Sequence, residues 1–210
     1  MAGIFITFEG PDGAGKTTQV MLLERHLRQK GYDVLVTREP GGTPVGEEIR
    51  KLLLNRSHQD MDALTEMYLY AASRAQHVRQ VIKPALDKGI VVLCDRFIDS
   101  SIAYQGFGRG LGMDVVEAVN RYALGDILPD LTIFLNIRPE EALARGRMRL
   151  KEADRLESEK LEFHQRVYQG FLILQERYTQ RIKVVDASRS VEEVFKQVLE
   201  LVEYLLSCKK

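Results

Sequence analysis

Cysteine is scarce in this sequence, which has only Cys94 and Cys208 among its 210 residues. The two are far apart and lack metal-ligand spacing, and Cys94 falls in an apolar run, where a small buried thiol is expected. No apolar run approaches the roughly 18 residues that cross a bilayer. The first residues also lack the basic and apolar regions of a secretory signal. These absences predict a reduced, cytoplasmic protein with no membrane partner.

An excess of charge of either sign is also missing, because 30 Lys and Arg balance 30 Asp and Glu. No overall basic field therefore argues for a nucleic-acid polymer as partner, whereas a small anionic ligand needs only a local group of cations. The chain has no internal repeat, low-complexity segment or linker. Its length fits one compact domain, residues 1–210, better than two.

Short β-rich runs alternate with long helical patterns along the chain. The runs that predict strands are Ile4–Glu9, Asp33–Thr37, Ile90–Asp95, Leu131–Asn136 and Ile182–Asp186. The segments that predict helices are Thr17–Gln29, Asp62–Asp87, Glu140–Lys151, Glu157–Gln180 and Val191–Ser207. This alternation indicates βαβ units, and so an α/β fold with a doubly wound, five-stranded parallel sheet. Such sheets bind ligands beyond the carboxyl ends of their strands, where we expect the functional residues.

Residues 10–17 match the phosphate-binding pattern G-x-x-x-x-G-K-[ST], directly after the first predicted strand and before a predicted helix. Glycines let backbone N–H groups turn around phosphate oxygens, and the helix N-terminus adds the positive end of its dipole. Lys16 would place a charge on the β- and γ-phosphates of a nucleotide, and Thr17 would bind Mg²⁺. The predicted nucleotide phosphate site consists of Gly10, Pro11, Asp12, Gly13, Ala14, Gly15, Lys16, Thr17 and Thr18.

The sequence lacks the signatures of two classes of phosphate-loop protein, the GTPases and the transporter ATPases. None of the three asparagines is followed by Lys, so a guanine-reading N-K-x-D is absent, and so is the L-S-G-G-Q of transporter ATPases. Instead, Asp95 closes the third predicted strand and Arg96 follows it directly. A carboxylate there can hold Mg²⁺ through water, and the arginine can clamp a transferring phosphate. An isolated Asp-Arg pair is often a surface ion pair, but this position favours a phosphoryl-transfer site.

Six segments follow one another in a characteristic order: 8–18 (Phe-Glu-Gly-Pro-Asp-Gly-Ala-Gly-Lys-Thr-Thr), 37–43 (Thr-Arg-Glu-Pro-Gly-Gly-Thr), 71–77 (Ala-Ala-Ser-Arg-Ala-Gln-His), 95–97 (Asp-Arg-Phe), 100–106 (Ser-Ser-Ile-Ala-Tyr-Gln-Gly) and 154–157 (Asp-Arg-Leu-Glu). Together they resemble the thymidylate kinase family over the whole chain. The resemblance implies a P-loop nucleoside monophosphate kinase fold and transfer of the γ-phosphoryl group of ATP to dTMP, giving dTDP and ADP in dTTP biosynthesis. It also implies Mg²⁺ as a cofactor and a homodimer. Two alternatives stay open: another nucleoside monophosphate kinase, and a nucleotide-dependent switch protein without turnover.

The predicted base site lies on one helix face. Tyr70 and Arg74 are four residues apart and so would share a face, with His77 one turn further. An aromatic ring stacks on a base and a guanidinium donates to its carbonyl edge. On an arbitrary helix, such a pair would more often be a core tyrosine and a solvated arginine. The resemblance implies that Tyr70 stacks on thymine and that Arg74 binds O4.

The remaining acceptor residues are assigned by resemblance alone. Arg38 and Arg96 would grip the acceptor phosphate, with Arg50 as a weaker candidate and a solvated loop arginine as the alternative for Arg38. Asp12 would accept from the sugar 3′-hydroxyl and help to place the metal. Phenol packing beside C2′ would discriminate against ribose. The residues expected around the base and sugar are Glu39, Ser101 at thymine N3, Tyr104 at C2′ and Gln105 as a further base contact; ordinary loop hydrogen bonding is the alternative for Ser101 and Gln105.

A run of basic residues between the fourth strand and the next long helix falls at the lid position of P-loop kinases, about residues 141–156. Such a run is usually a solvated helix face. The phosphate loop, however, has no arginine beyond Lys16, which resembles bacterial members of the family that supply this charge from the lid. Arg149 and, less strongly, Arg147 are the candidates to meet transition-state charge. The resemblance implies that Arg145 covers adenine and that Ser188 lines its edge.

Overall fold

The computed structural model describes residues 3–149 and 154–209, and the side chains of residues 146–149 lie outside that description. The described strands form one parallel sheet: β1 (Ile4–Glu9), β2 (Val34–Arg38), β3 (Val91–Asp95), β4 (Leu131–Asn136) and β5 (Ile182–Asp186). Their order across the sheet is β2-β3-β1-β4-β5. The predicted five-stranded parallel sheet is confirmed, with one residue of difference at the bounds of β2 and β3.

Helices flank the sheet on both sides. The described α-helices are α1 (Lys16–Gln29), α2 (Pro44–Leu54), α3 (Ala63–His77), α4 (Lys83–Asp87), α5 (Ile98–Ser101), α6 (Met113–Leu124), α7 (Pro139–Arg149), α8 (Leu161–Arg177) and α9 (Val191–Cys208). A 3₁₀ turn covers Arg56–His58, and π-helical turns cover Val78–Ile82 and Ile102–Gly108. Over the described residues, no helix is both long and apolar enough to cross a membrane.

The long helix predicted over Asp62–Asp87 is interrupted in the structure. Asp62 caps α3 by accepting from the N–H groups of Leu64 (2.9 Å) and Thr65 (3.3 Å). A π-helical turn then separates α3 from α4. Pro84 explains the interruption, because a proline lacks the N–H for the regular helical bond and its ring clashes with the carbonyl four residues earlier.

Two of the longer helices were not predicted, and the start of another needs correction. α2 and α6 were not among the predicted helical segments. α8 begins at Leu161 rather than at Glu157, because Asp154 Oδ1 accepts from the N–H groups of Leu156 (2.8 Å) and Glu157 (2.9 Å) and holds that segment as a turn. The helix predicted over Glu140–Lys151 is α7, and Lys151 lies outside the described residues.

Alternate residues of each strand face opposite sides of the sheet, as the period of two requires. Ile4, Ile6 and Phe8 of β1 belong to a core that includes α1 and α9, whereas Phe5 belongs to a core that includes α3 and α8. Cys94 is a free, buried thiol in this second core, as predicted.

The strand register brings together the carboxyl ends of three adjacent strands, β2, β3 and β1. Phe8 of β1 and Arg38 of β2 both align with Asp95 of β3. The phosphate loop after β1, Glu39 after β2 and Arg96 after β3 therefore meet at one edge of the sheet. This placement agrees with the expectation that functional residues follow the strands.

Candidate active site

The phosphate loop requires glycine where its backbone turns. Gly10 has a φ of 137°, and a Cβ there would lie 2.7 Å from the carbonyl oxygen of Leu135 on β4. Gly15 has a φ of 91° and directly precedes α1. Both conformations are ones that only glycine adopts readily. The loop therefore lies close against the sheet and leads its N–H groups into the start of α1, which is an arrangement that binds phosphate.

Lys16 is held inside this loop. Its side-chain nitrogen donates to the carbonyl oxygens of Pro11 (2.8 Å) and Gly10 (3.1 Å), and only 6% of the residue is exposed. Burial, with a smaller effect from Arg96, lowers the pKa of Lys16 to about 8. An anionic phosphate would favour the charged form, so the site is suited to a phosphorylated ligand.

The two predicted metal ligands are neighbours. The Thr17 hydroxyl donates to Asp95 Oδ2 at 2.7 Å, although the residues are 78 positions apart in the chain. A hydroxyl and a carboxylate are the hard oxygen ligands that Mg²⁺ accepts, and Mg²⁺ usually keeps several waters and uses few protein ligands. These two residues therefore fit the predicted role.

Asp12, Arg96 and Tyr104 form a second cluster beside the loop. Arg96 Nη2 lies 2.5 Å from Asp12 Oδ1 and 3.2 Å from the Tyr104 hydroxyl, which itself donates to Asp12 Oδ2 at 3.1 Å. Burial alone would raise the pKa of Asp12, but Arg96 and Lys16 outweigh it and hold this pKa well below its usual range. Asp12 is therefore a fixed anion between two cations. The guanidinium carbon of Arg96 also lies 5.0 Å from the centroid of the Tyr104 ring.

A partly open cleft with a cavity volume of about 120 Å³ extends from this cluster towards α3. Most of the predicted acceptor residues line it: Asp12, Glu39, Tyr70, Arg74, Arg96, Ser101, Tyr104 and Gln105, together with Pro40, Arg50, Leu54, Phe97, Ser100, Asp154, Leu156 and Glu157. Eight residues predicted around the acceptor thus lie in one cleft, and their roles stay predictions.

Arg74 is fixed by its neighbours rather than solvated. Its guanidinium donates to Glu39 Oε2 (2.8 Å), Asn120 Oδ1 (2.5 Å) and Ser101 Oγ (3.0 Å), and the residue is 1% exposed. The other carboxylate oxygen, Glu39 Oε1, lies 3.1 Å from Nδ1 of His77. Such constraint keeps a buried arginine in one orientation, so Arg74 can present remaining N–H groups to the cleft without an ordering cost.

Arg38 and Arg50 differ in a way that the sequence did not indicate. Arg38 makes a bidentate contact with Glu47 (3.0 and 2.9 Å) and is not among the residues that line the cleft. Arg50 does line the cleft, and its Nη1 donates to the carbonyl of Pro40 at 3.0 Å. The structure therefore favours Arg50 over Arg38 as the second arginine near an acceptor, and the role predicted for Arg38 stays a prediction.

On the donor side, Arg145 lies against the segment after β5. It donates to the carbonyl oxygens of Ala187 (2.7 Å) and Ser188 (3.0 Å) and pairs with Glu141 at 2.7 Å. The two residues predicted near adenine are thus in contact. The lid candidates Arg147 and Arg149 have side chains outside the described residues.

Two cleft carboxylates, Asp154 and Glu157, were not predicted as site residues, although they belong to the last of the six segments. Burial, more than nearby carboxylates, raises the pKa of each. Arg155 between them is 3% exposed and donates to Glu66 Oε2 (2.6 Å) and to the carbonyl of Leu53 (2.7 Å). These two bonds of Arg155 fix residues 154–157 at the cleft. In the sequence, the group of charged residues within 154–157 was the only indication that this segment belongs to the site.

Gln105 is oriented by the same buried carboxylate. Its Nε2 donates to Glu66 Oε1 at 2.9 Å, while Glu66 also accepts from Arg109 and Arg155. A carboxylate only accepts, so the amide NH₂ must face Glu66. The carbonyl oxygen of Gln105 is buried and has no hydrogen-bond partner among the described residues.

Comparisons with known proteins agree on one family. The thymidylate kinase family model matches residues 8–198. A thymidylate kinase of Exiguobacterium sp. is 52% identical over 200 residues, covering 95% of this chain and 94% of that protein. One of Caldanaerobacter subterraneus subsp. tengcongensis is 51% identical over 210 residues, covering 100% of both. A crystal structure of thymidylate kinase from Ehrlichia chaffeensis superposes with a TM-score of 0.79 and 34% identity, covering 97% of this chain and 99% of that one. The chain belongs to the thymidylate kinase family.

Proposed function

We propose that this chain catalyses the reaction of its family, the transfer of the γ-phosphoryl group of ATP to dTMP to give ADP and dTDP, through the residues at the carboxyl edge of its sheet. The observation that carries the assignment is the junction of two sites. Lys16 of the phosphate loop lies 3.9 Å from Asp12, and Asp12 pairs with Arg96 at the mouth of the base-sized cleft. A donor on the loop and an acceptor in the cleft would meet there.

The donor side is formed by the phosphate loop, with Lys16 on the β- and γ-phosphates. Arg145 and Ser188, which are in contact, would bound the adenine. Thr17 and Asp95 would hold Mg²⁺, and this ion would offset phosphate charge when bound. No covalent intermediate on the protein is needed, because phosphoryl transfer is catalysed by positioning and electrostatics.

The acceptor side is read from the cleft walls. Tyr70 would stack on thymine, Arg74 would donate to its O4, and Ser101 and Gln105 would lie at its N3 edge. Arg96, with Arg50 or Arg38, would hold the acceptor phosphate. Tyr104 is fixed by Asp12 and Arg96 and would close the space beside C2′.

The acceptor preference tests this proposal. We expect kcat/KM to be highest for dTMP, lower for dUMP and lowest for dCMP and dGMP, because cytosine and guanine present a different donor and acceptor pattern to Arg74 and Gln105. The ribose analogue of dTMP should be a much poorer substrate than dTMP because of Tyr104. Steady-state assays that couple ADP release measure all five acceptors. A preference for dGMP or dCMP would show that the base site is misassigned, and absence of turnover with every acceptor would favour a switch protein.

We also propose that residues 141–156 act as a lid and that Arg149 supplies transition-state charge. Arg147 and Arg149 point about 200° apart on an ideal helix, so they cannot both face one phosphate. Losing the productive arginine should lower kcat about 10²–10³-fold with little change in KM for dTMP, because the lid touches the donor. Arg147→Ala and Arg149→Ala, compared at saturating ATP, give the answer. Wild-type kcat in both would mean that the run is a solvated helix face.

A homodimer in the cytoplasm completes the proposal. It rests on the membership of the chain in the thymidylate kinase family.

A further inference from the structure

Glu9 is a buried carboxyl at the edge of the active site. It is the last residue of β1, directly before Gly10 of the phosphate loop, and it has no exposed surface. Glu9 lies two residues after Thr7, so both side chains point to the same face of the sheet. A carboxyl group is costly to bury unless its oxygens are hydrogen-bonded, so its partners should explain its position.

Both oxygens of Glu9 are bound to the segment that carries Arg96. Oε1 accepts from the N–H of Phe97 at 2.7 Å, and Oε2 accepts from the hydroxyl of Ser100 at 2.5 Å. The same hydroxyl oxygen of Ser100 accepts from Arg96 Nη1 at 3.0 Å. A continuous chain of hydrogen bonds thus runs from the end of β1 to the guanidinium of Arg96.

Arg96 is a residue that needs such support. Its φ of 69° is a left-handed conformation that residues other than glycine disfavour. Its guanidinium bonds to Asp12 and Tyr104 through Nη2 and to Ser100 through Nη1. An acceptor phosphate would compete with Asp12 for the guanidinium. The bond to Ser100 would then remain to keep the guanidinium aimed at the phosphate.

We propose that Glu9 is a positioning residue, which acts through Ser100 and the Phe97 N–H to set the guanidinium of Arg96 towards the acceptor phosphate. The inference rests on the proposed role of Arg96 in binding that phosphate. Glu9 itself touches neither substrate, and its effect is therefore on the phosphate end of the acceptor and not on the base.

The charges around Glu9 support a role as a hydrogen-bonded anchor rather than as an ion-pair partner. Asp99, whose charge repels that of Glu9, is bound by Arg181 at 2.5 and 2.8 Å, whereas the two groups hydrogen-bonded to Glu9, the Phe97 N–H and the Ser100 hydroxyl, are neutral. Burial, followed by repulsion from Asp99, raises the pKa of Glu9 to about 8, and Arg96 opposes this shift. The charge of Glu9 in turn acts to raise the pKa of Lys16. Glutamine matches the shape of the protonated form and retains an oxygen for the Phe97 N–H.

The test compares Glu9→Ala and Glu9→Gln with a matched control, Thr7→Val. Thr7 is equally buried on the same strand and face, and its hydroxyl bonds with Thr132 (2.8 Å) rather than with the Arg96 segment. Calorimetric titration with dTMP and with thymidine, which lacks the phosphate, separates the phosphate contact from the base contact. Coupled assays supply kcat and KM for the same proteins.

In Glu9→Ala, dTMP binding should weaken about tenfold or more while thymidine binding stays within about twofold, because a charge-assisted contact is lost at the phosphate alone. Its kcat should fall about 10²-fold, the cost of a misplaced catalytic group. Glu9→Gln should stay within about threefold of wild type, and Thr7→Val should not separate the two ligands. Equal weakening of both ligands, unchanged dTMP binding, or the same loss in Thr7→Val would each overturn the proposal.

Ser100→Ala repeats the comparison if Glu9→Ala does not fold, because it keeps the Glu9 carboxyl and its bond to the Phe97 N–H while it removes the hydroxyl that joins Glu9 to Arg96. An unchanged ratio of dTMP to thymidine affinity in Ser100→Ala would also overturn the proposal. The proposed function is checked separately by the wild-type protein. If wild type does not phosphorylate dTMP, the function is wrong; if wild type does so and the Glu9 and Ser100 variants match it, only the role of Glu9 is wrong.

Discussion

Lys16→Ala should lower kcat by about 10³-fold or more at saturating substrates, one of the two largest effects we expect. Lys16 is the cation enclosed by the phosphate loop, where its nitrogen bonds to the carbonyls of Gly10 and Pro11. A charge in a site shielded from water stabilises developing phosphate charge far more than an exposed charge does. No other residue of the loop carries a positive charge, so its loss has no local substitute.

Steady-state assays of Lys16→Ala beside Lys30→Ala measure this effect. Lys30 is an exposed lysine at the end of the same helix, so it controls for loss of a charge on α1. Circular dichroism and thermal melts should show that both variants are folded under the assay conditions. Turnover within tenfold of wild type in Lys16→Ala would refute the role of this side chain.

The pH dependence of the wild-type protein gives a related check on Lys16. Its pKa is lowered to about 8 by burial, so the free protein holds the charge below that pH and loses it as the pH rises through 8. KM for ATP should therefore rise above pH 8.

The phosphate loop and the sheet were predictable because each is set by local requirements. Gly10 and Gly15 adopt conformations that other residues avoid, and strand residues alternate between two cores, so both patterns are visible in the sequence. The acceptor wall was predictable only through family resemblance. Tyr70 and Arg74 alone would have been read as a core tyrosine and a solvated arginine.

What the sequence did not indicate depends on contacts between distant residues. Asp154 and Glu157 reach the cleft because Arg155 bonds to Glu66, 89 positions away. Arg38 turns to Glu47 rather than to the cleft, a choice of side-chain direction that no spacing encodes. Glu9 reads as the polar end of a strand, and only its burial beside Phe97 and Ser100 reveals a connection to Arg96.

Arg96→Ala should lower kcat/KM for dTMP by about 10³–10⁴-fold, and Arg96→Lys should recover only a small part of this loss. The guanidinium binds Asp12, Ser100 and Tyr104 at once, with N–H groups that point in different directions. A lysine has one nitrogen and cannot keep the bond to Ser100 while it also reaches a phosphate. Because Arg96 would contact the acceptor phosphate before and during transfer, we expect both a lower kcat and a higher KM for dTMP.

Arg177→Ala is the matched control for Arg96→Ala, because it removes an arginine that has no part in the proposed site. Arg177 is half exposed on α8 and forms a long ion pair with Glu117, at 3.9 Å. Initial rates over a range of dTMP concentrations at fixed saturating ATP yield kcat and KM for each variant. Removing Arg96 leaves Asp12 without its closest cation, so the pKa of Asp12 should rise. The variant should therefore be less stable than wild type at neutral pH, and this difference should shrink as the pH falls below about 4, where the depressed pKa of Asp12 stops stabilising wild type. A variant that unfolds under assay conditions is recognised by its melting curve, and Arg96→Lys then carries the comparison. Near-normal kcat/KM in a folded Arg96→Ala protein would place the acceptor phosphate elsewhere, with Arg50 as the next arginine on the cleft wall.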